Sequence, residues 1–537
     1  MSASTTPTPA SATLPLAVLE QLRAAATELG IDLPGATNFA PTINITMPIR
    51  ALAYEIGRLI RLRDIFIRAK EIGTVSPEGE WKRMTPKRFA GWLEEFCVFN
   101  TGATRRIRDS LTPEEAAQIL ELDIFIECIR PLESINTMRL PVRRGGDWKI
   151  ELLPSGYDTE SRIYTVDLVQ YPLDWTLDAA RDFLDLHGKD YPWAFPNEEV
   201  GPLRRNRSWA VQVAVMIGTF CRSFFPQGSP KPMVAIIGNQ AGTGKSTLVA
   251  MTLMPVFGHA SAGKMCKDDE AMDKELETAA RVFAPYLFLD DIGGGIFSTP
   301  LNRFITASSH AGRCMGGNSE MFRVPNVTQV FVTGNDIKVS GDLMRRALCI
   351  ELHLATEVRG RTYTRPITPL YLARPEIRAQ FLAAFWAMVR QAISMRESDP
   401  DGPLPMGLES FEDYTSTISF IAQVAGYSDP LVLPDLSGAG NEEDTEMADL
   451  LIDLATKSTA DTSFTRIDMV EAARTLGVLE SLVGLPGDKD LDQTQMKRWG
   501  RQLQRWRGRE LTDTKGRRFK FSKRRMTKGA TYPLTFI

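Results

Sequence analysis

A chain of 537 residues is too long for one hydrophobic core, so roughly two to four domains are expected. At 43% hydrophobic and 24% charged residues the composition is that of an ordinary globular protein, and no apolar run approaches the about eighteen residues of a membrane span, which argues against a helical membrane protein. The net charge of −3 conceals an asymmetry: between Lys497 and Lys528 stand 14 Lys and Arg against Glu510 and Asp513, about +12, which leaves about −15 on the rest, so a nucleic-acid contact is expected at the C-terminal end.

The six cysteines are scattered with no CxxC pair, which indicates neither a zinc ribbon nor a disulfide framework and implies a reduced, cytoplasmic setting. The four histidines stand far apart, which argues against a histidine metal site. Residues 1–13 are rich in Ser, Thr and Pro and lack a basic leader, so they read as a disordered tail rather than a targeting signal.

Residues 14–200 then read as an N-terminal domain for assembly or partner binding. Its first part is predicted helical: Pro48–Arg68, Thr85–Phe99 and Thr112–Ile129 carry apolar residues at three- and four-residue intervals, and Thr85-Pro86 and Thr112-Pro113 with Glu115 look like helix starts. The stretch Arg139–Val166 alternates as short strands around Gly145-Gly146 and Pro154-Ser155-Gly156, which predicts a small β-rich module. Helices are expected over Leu177–Leu186 and Arg205–Phe225.

Residues 201–430 alternate strand with helix. Strands Met233–Gly238, Tyr286–Asp290, Val330–Gly334 and Ala347–Leu352, with helices Lys245–Met254, Asp268–Ala279 and Pro300–Ser309 between them, imply a parallel sheet covered on both faces. A linker follows over 431–446, then a basic unit over 447–537. In that unit Met496, Trp499, Leu503 and Trp506 fall on one helical stripe, while two strands after Thr514 form a wing bearing Arg517, Arg518, Lys520, Lys523, Arg524 and Arg525. Helix, helix and hairpin resemble a winged helix. Lys497, Arg498, Arg501 and Arg505, with the wing cations, are candidate phosphate contacts giving salt-dependent binding of duplex DNA. A basic solvated face is the alternative.

The chemistry centres on Gly238, Asn239, Gln240, Ala241, Gly242, Thr243, Gly244, Lys245, Ser246 and Thr247, which run on from an apolar strand. This is a phosphate-binding loop: small residues let backbone N–H groups curl around a phosphate, Lys245 reaches the β- and γ-phosphates, and Ser246 ligates Mg²⁺. Asn239 stands where such loops usually carry the first glycine. The strand Tyr286–Asp290 ends in two carboxylates, of which Asp290 suits a water-mediated Mg²⁺ contact and Asp291 the polarisation of an attacking water. Asn335, at the tip of the strand in Thr328–Asp336, suits a second ordering group. Arg345 and Arg346 precede strand Ala347–Leu352; in a ring of subunits one of them, Arg346 preferred, suits an arginine finger. Ser308–Val324 reads as a glycine-containing hairpin or loop in which His310, Arg313 and Arg323 are candidate DNA contacts, or incidental surface charge.

The ordered series GNQAGTGKST, KDDEAMDKEL, LFLDDI, GRCMGG, VFVTGND and SGDLMRRALCIEL, with SFEDY after it, resembles the AAA+ superfamily 3 type helicases of phages, plasmids and integrated mobile elements, the D5-like group, from Gln170 to Tyr427. The resemblance implies a hexameric ring that hydrolyses ATP with Mg²⁺ between subunits and moves on single-stranded DNA in a central pore during replication of a mobile element. It assigns Lys245 and Ser246 to phosphate and Mg²⁺, Asp290 and Asp291 to the acidic pair, Asn335 to the sensor, and Arg346 or Arg345 to the finger. Many relatives carry a primase in front; neither a DxD-plus-histidine arrangement nor a zinc motif precedes Arg205, so no primase activity is expected, and a separate primase or replication protein is a candidate partner. A DNA-binding switch or loader that hydrolyses ATP without unwinding, and an ATP-stabilised scaffold, are the alternative functions.

Overall fold

The computed structural model describes residues 42–536, apart from positions 62, 96, 109, 294, 297, 336, 340, 366, 498, 514 and 523 and the stretches 101–106, 146–147, 194–201, 264–267, 314–320, 355–363, 433–441, 459–460, 484–490, 492–494, 501–502, 504–505, 507–509 and 527–528. The expected tail over 1–13 lies outside the described residues. The chain divides into two compact units, Met1–Thr137 with Pro154–Val166, and Met138–Leu153 with Asp167–Ile537.

The first unit corrects the helical expectation. Helices Ile49–Ile60, Pro86–Leu93 and Pro113–Glu121 are present, and the two proline-led starts are capped by the hydroxyls of Thr85 and Thr112, the latter with Glu115 in a reciprocal capping box. Between them, however, Ile65–Arg68, Glu71–Val75 and Trp81–Arg83 form antiparallel strands, which Arg130–Pro131 joins in parallel. Such short apolar runs do not separate helix from strand by periodicity. The turn between the first two, Ala69-Lys70, has both residues at positive φ without the Asn or Gly that usually marks it.

The expected β-rich module also divides. Pro141–Arg144 pairs with Lys149–Leu152 in the second unit, whereas Gly156–Asp158 and Ile163–Thr165 form a sheet with Ser134–Asn136 in the first.

The second unit is built on a parallel sheet of β1 (Met233–Gly238), β2 (Ala262–Gly263), β3 (Tyr286–Ile292), β4 (Gln329–Asn335) and β5 (Ala347–Leu352), in the order β2-β3-β4-β1-β5. Alternate residues along each strand sort into two cores. Val234, Ile236, Phe288, Phe331, Leu348 and Ile350 face one side, against helices α1 (Leu177–Gly188), α2 (Arg207–Phe220) and α3 (Lys245–Phe257), while Met233, Ala235, Leu287, Leu289, Val330, Val332, Ala347 and Cys349 face the other, against α4 (Asp269–Arg281) and α5 (Thr299–Thr306). This is the predicted sheet between two helical layers. The first core also takes in Met138, Leu140, Val169, Tyr171 and Leu184, so it begins well before residue 201, and it includes α6 (Pro375–Ser398) and α7 (Glu412–Val424).

The C-terminal part has its own core. Helix α8 (Glu442–Lys457), strand β6 (Thr462–Thr465) and helix α9 (Arg466–Leu476) are followed by β7 (Glu510–Thr512), β8 (Arg518–Phe521), β9 (Arg524–Met526) and β10 (Gly529–Phe536), antiparallel in the order β6-β10-β8-β7 with β9 also on β10. Trp499, Leu503 and Trp506 of the predicted stripe are buried in this core with Phe519, Phe521, Tyr532 and Leu534. The sheet is larger than the predicted two-stranded wing.

Candidate active site

The sheet order decides what can meet. Strand β4 lies between β1 and β3, so the loop after β1, the acids at the end of β3 and the amide at the end of β4 emerge side by side at the C-terminal edge of the sheet, where open parallel sheets hold their ligands.

Lys245, the first residue of α3, is buried and its ammonium donates to Asn335 Oδ1 at 2.6 Å, to the Gln240 carbonyl at 3.2 Å and to Thr243 Oγ1 at 3.3 Å. Ser246 Oγ donates to Asp290 Oδ1 at 2.8 Å. Residues 44 and 90 positions along the chain are thus brought into direct contact with Ser246 and Lys245. Gly242 and Gly244 have φ of +80° and +102°, a region side chains rarely occupy, and a Cβ on Gly238 would stand 2.5 Å from Thr243 Oγ1. The cradle is therefore closed to larger residues at three points, and its cation, hydroxyl and carboxylate match what a nucleoside triphosphate with Mg²⁺ requires.

Asn239 has a role of its own. Its side chain donates to the Leu354 carbonyl at 2.9 Å and accepts from the Leu354 N–H at 3.0 Å, while its backbone N–H donates to Leu352 at 3.2 Å. Gln240 donates to the same Leu354 carbonyl at 2.8 Å. The residue that departs from the usual loop spacing fastens the loop to the chain leaving β5.

The acidic pair is separated by a local irregularity. The pairing of β3 with β4 shifts register between Leu289 and Ile292, and Asp291 adopts φ of 51°. A bulge of this kind re-aims side chains. Asp290 stays at the Ser246 hydroxyl while Asp291 is exposed. The bulge is held by Thr333, fully buried on β4, whose hydroxyl donates to Asp290 Oδ1 and accepts from the Asp291 N–H at 3.1 Å. Sequence reasoning missed Thr333. Its signal was faint: a hydroxyl in an otherwise apolar strand, two positions before Asn335 and so on the same face.

Arg345 and Arg346 lie elsewhere. Arg346 O accepts from Met233 N at 3.1 Å, which puts the pair at the start of β1, a strand length or about 20 Å from the glycine-rich loop of the same chain. Arg346 is half-buried and its guanidinium donates to Asn302 of α5, whereas Arg345 is exposed. Of the two candidates for the finger, Arg345 is thus the more exposed.

The predicted hairpin is present, Ser309–Arg313 against Met321–Pro325. Its intervening residues 314–320 and the Arg313 side chain lie outside the described residues. Arg323 is exposed, but His310 is half-buried with its ring 5.5 Å from that of Phe304, so packing accounts for the histidine.

Among the C-terminal cations, Lys497, Arg518 and Lys520 are exposed, the last two alternating with buried Phe519 and Phe521 on β8. Arg517 is a correction. Its guanidinium binds Asp513 at 2.8 Å and the carbonyls of Ala455 and Ser458 at 3.0 Å, and lies 4.5 Å over the Phe536 ring, so it joins the end of α8 to the sheet. Hydrogen bonds from the Arg517 and Lys515 N–H groups, with the Arg517 guanidinium, hold the Asp513 carboxyl below its usual pKa against the opposing effect of burial. Arg498, Arg501, Arg505 and Lys523, and the side chains of Arg524 and Arg525, lie outside the described residues.

No family model and no curated protein matches this chain. Among solved structures it is similar to the C-terminal region of NrS-1, at 12% identity over 90% of this chain and 99% of that one, with a TM-score of 0.35. It is also similar to the SCCmec type IV Cch active helicase, at 11% identity over 87% and 90% of the two chains and a TM-score of 0.33, and to the JCV helicase, at 16% identity over 48% and 73% and a TM-score of 0.22. Two of these three structures are named as helicases.

Proposed function

We propose that this chain is an ATP-driven DNA helicase of the superfamily 3 type, working as a hexameric ring in the replication of a mobile element. The observation that carries the reading is the convergence of Lys245, Ser246, Asp290 and Asn335 at one edge of the sheet, with Asp291 turned out beside them by the bulge. Lys245 balances charge on the β- and γ-phosphates, and Asn335, now holding the ammonium, is placed to order the γ-phosphate or the attacking water. Mg²⁺, held by Ser246 and Asp290, would offset the charge of the phosphate oxygens. Asp291 is the group to orient and polarise the water.

The distance of Arg345 and Arg346 from their own phosphate loop favours a finger donated across a subunit boundary, and the exposure of Arg345 makes it the better candidate. The C-terminal part, a winged-helix-like domain in this reading, grips duplex DNA through Arg518, Lys520 and Lys497. Among the described residues no helix is long and apolar enough to cross a membrane.

The test is strand displacement on a forked DNA with ATP and Mg²⁺. Unwinding by the wild type that disappears in Lys245→Ala is the expected result. ATP hydrolysis and DNA binding without displacement on any fork would replace the helicase with a loader or switch, and full biological activity without hydrolysis would point to a scaffold. The DNA grip is tested by substitution, because truncation after Asp490 would remove Trp499, Leu503 and β7 to β10 from the core they share with α8. The double variant Arg518→Ala/Lys520→Ala is expected to weaken duplex binding at every sequence and to lower the slope of log K against log salt by about 2, since each neutralised phosphate contributes about 0.9. An unchanged slope would remove β8 from the interface.

Thr333→Val tests the bulge. Valine keeps the volume but leaves Asp290 and the Asp291 N–H without their shared hydroxyl, so kcat for ATP hydrolysis is expected to fall about tenfold with ATP affinity nearly unchanged. Loss of affinity without loss of kcat would show that Thr333 supports the loop instead of the acids.

A further inference from the structure

The phosphate end of the site is set by β3 and β4, through Asp290 and Asn335. In the sheet order those strands lie on one side of β1 and β5 lies on the other. A nucleoside on the β5 flank would stand on the side of the loop away from Asp290 and Asn335. That flank is bordered by residues 189–193, which run between α1 and α2.

This strap is held on several sides. The Pro192 carbonyl accepts from the His353 N–H, just past β5, at 2.9 Å, and Tyr191 N donates to Gly188 at 3.2 Å. Trp193 Nε1 donates to the Gly188 carbonyl at 2.6 Å, and Asn206 Nδ2 donates to the Trp193 carbonyl at 3.2 Å. Asp190 accepts from Thr364 Oγ1 at 3.0 Å and from the Arg365 N–H at 3.2 Å. The result is a fixed backbone carrying an aromatic ring. Tyr191 lies with its ring 5.4 Å from that of Trp193 and against Gly244, close enough that a Cβ on Gly244 would stand 2.7 Å from the ring. Gly244 is the residue that caps α3, directly before Lys245.

We propose that Tyr191 is the base platform of the nucleotide site, a π-face against which a purine or pyrimidine packs while the loop holds the phosphates. The proposal rests on the nucleotide reading of the loop. It assigns a binding contribution to a residue remote in sequence from the loop, and it explains why a tyrosine at the loop's mouth is held from so many directions. A face-on aromatic contact tolerates any base, so hydrolysis of GTP and CTP beside ATP is part of the expectation.

The experiment measures the affinity of the full-length chain, with Mg²⁺, for ATP and for inorganic tripolyphosphate, which has the phosphates and no base. In Tyr191→Ala, ATP affinity is expected to fall about tenfold while tripolyphosphate affinity stays at the wild-type value, and Tyr191→Phe is expected to restore ATP binding. Retained tripolyphosphate binding also shows that the variant is folded around the loop. Unchanged ATP affinity in Tyr191→Ala, or an equal loss for both ligands, would overturn the proposal, the second by showing that the ring only props up Gly244. Failure of the wild type to bind either ligand would instead overturn the nucleotide reading itself, and this proposal with it.

Discussion

Lys245→Ala is expected to lower kcat for ATP hydrolysis on the order of a thousandfold, the scale set by removing a single preorganised charge partner from a developing transition state. The ammonium is buried, begins a helix, and is already aimed by a carbonyl, a hydroxyl and an amide oxygen, so little reorganisation is needed when phosphate replaces some of those partners. Alanine removes both the charge and the tie between the loop and β4. Because Asn335 Oδ1 is near the rim of the sheet, water can take the ammonium's place there, and the fold should survive with its unfolding midpoint within a few degrees. Steady-state hydrolysis and thermal unfolding on the same preparation check both halves. A variant that hydrolyses ATP within tenfold of the wild type would show that the loop serves binding alone.

Trp209→Ala should have the largest effect on stability, about 3–5 kcal/mol by the usual cost of deleting a buried aromatic side chain. Trp209 is fully buried on α2, 5.1 Å ring to ring from Trp193, and Gly188 lacks a side chain where one would strike the indole at 2.7 Å. Its Nε1–H donates to Asp185 at 3.1 Å, a carboxylate that also receives Arg204 and, at 3.2 Å, Tyr427. The side chain therefore ties α1, α2 and the end of α7 together beneath the strap that carries Tyr191. The nucleotide-domain unfolding transition is expected to drop by roughly 10 °C. Trp209→Phe, which keeps most of the volume and loses the donor, should fall by less than half as much. Equal losses in the two variants would assign the effect to the Asp185 hydrogen bond instead of to packing.

The two effects come from different depths of information. The strands of the parallel sheet were legible because a sheet covered on both faces demands near-continuous apolar runs, and Met233–Gly238 and Val330–Gly334 are such runs. The loop was legible because its constraints are local: positive φ at Gly242 and Gly244 and a lysine opening the next helix all lie within a few residues. Thr85 and Thr112 were legible as caps for the same reason.

Where the decisive partner is far along the chain, the residue type alone was misleading. Arg517 was indistinguishable from its basic neighbours until the fold placed Asp513, Ala455 and Ser458 around it. The Asn239 departure carried no role in the sequence, whereas in the fold Leu354 takes both ends of its amide. The hairpin at Ala69-Lys70 was hidden because its turn uses residues that carry no turn signal.

The sequence by itself determined that a glycine-rich loop, an acidic strand end and a polar strand tip follow one another on a parallel sheet, since each depends on backbone conformation and burial set within a short stretch. Tertiary structure alone decided that β4 lies between β1 and β3, which brings Asn335 to Lys245 and Asp290 to Ser246, and that Thr333 bridges the two acids through a bulge. It also decided that Tyr191 stands at the mouth of the loop. Hydrogen bonds and ring contacts between residues 40 to 90 positions apart leave no periodic trace in the chain, because their geometry exists only after the strands have chosen their neighbours.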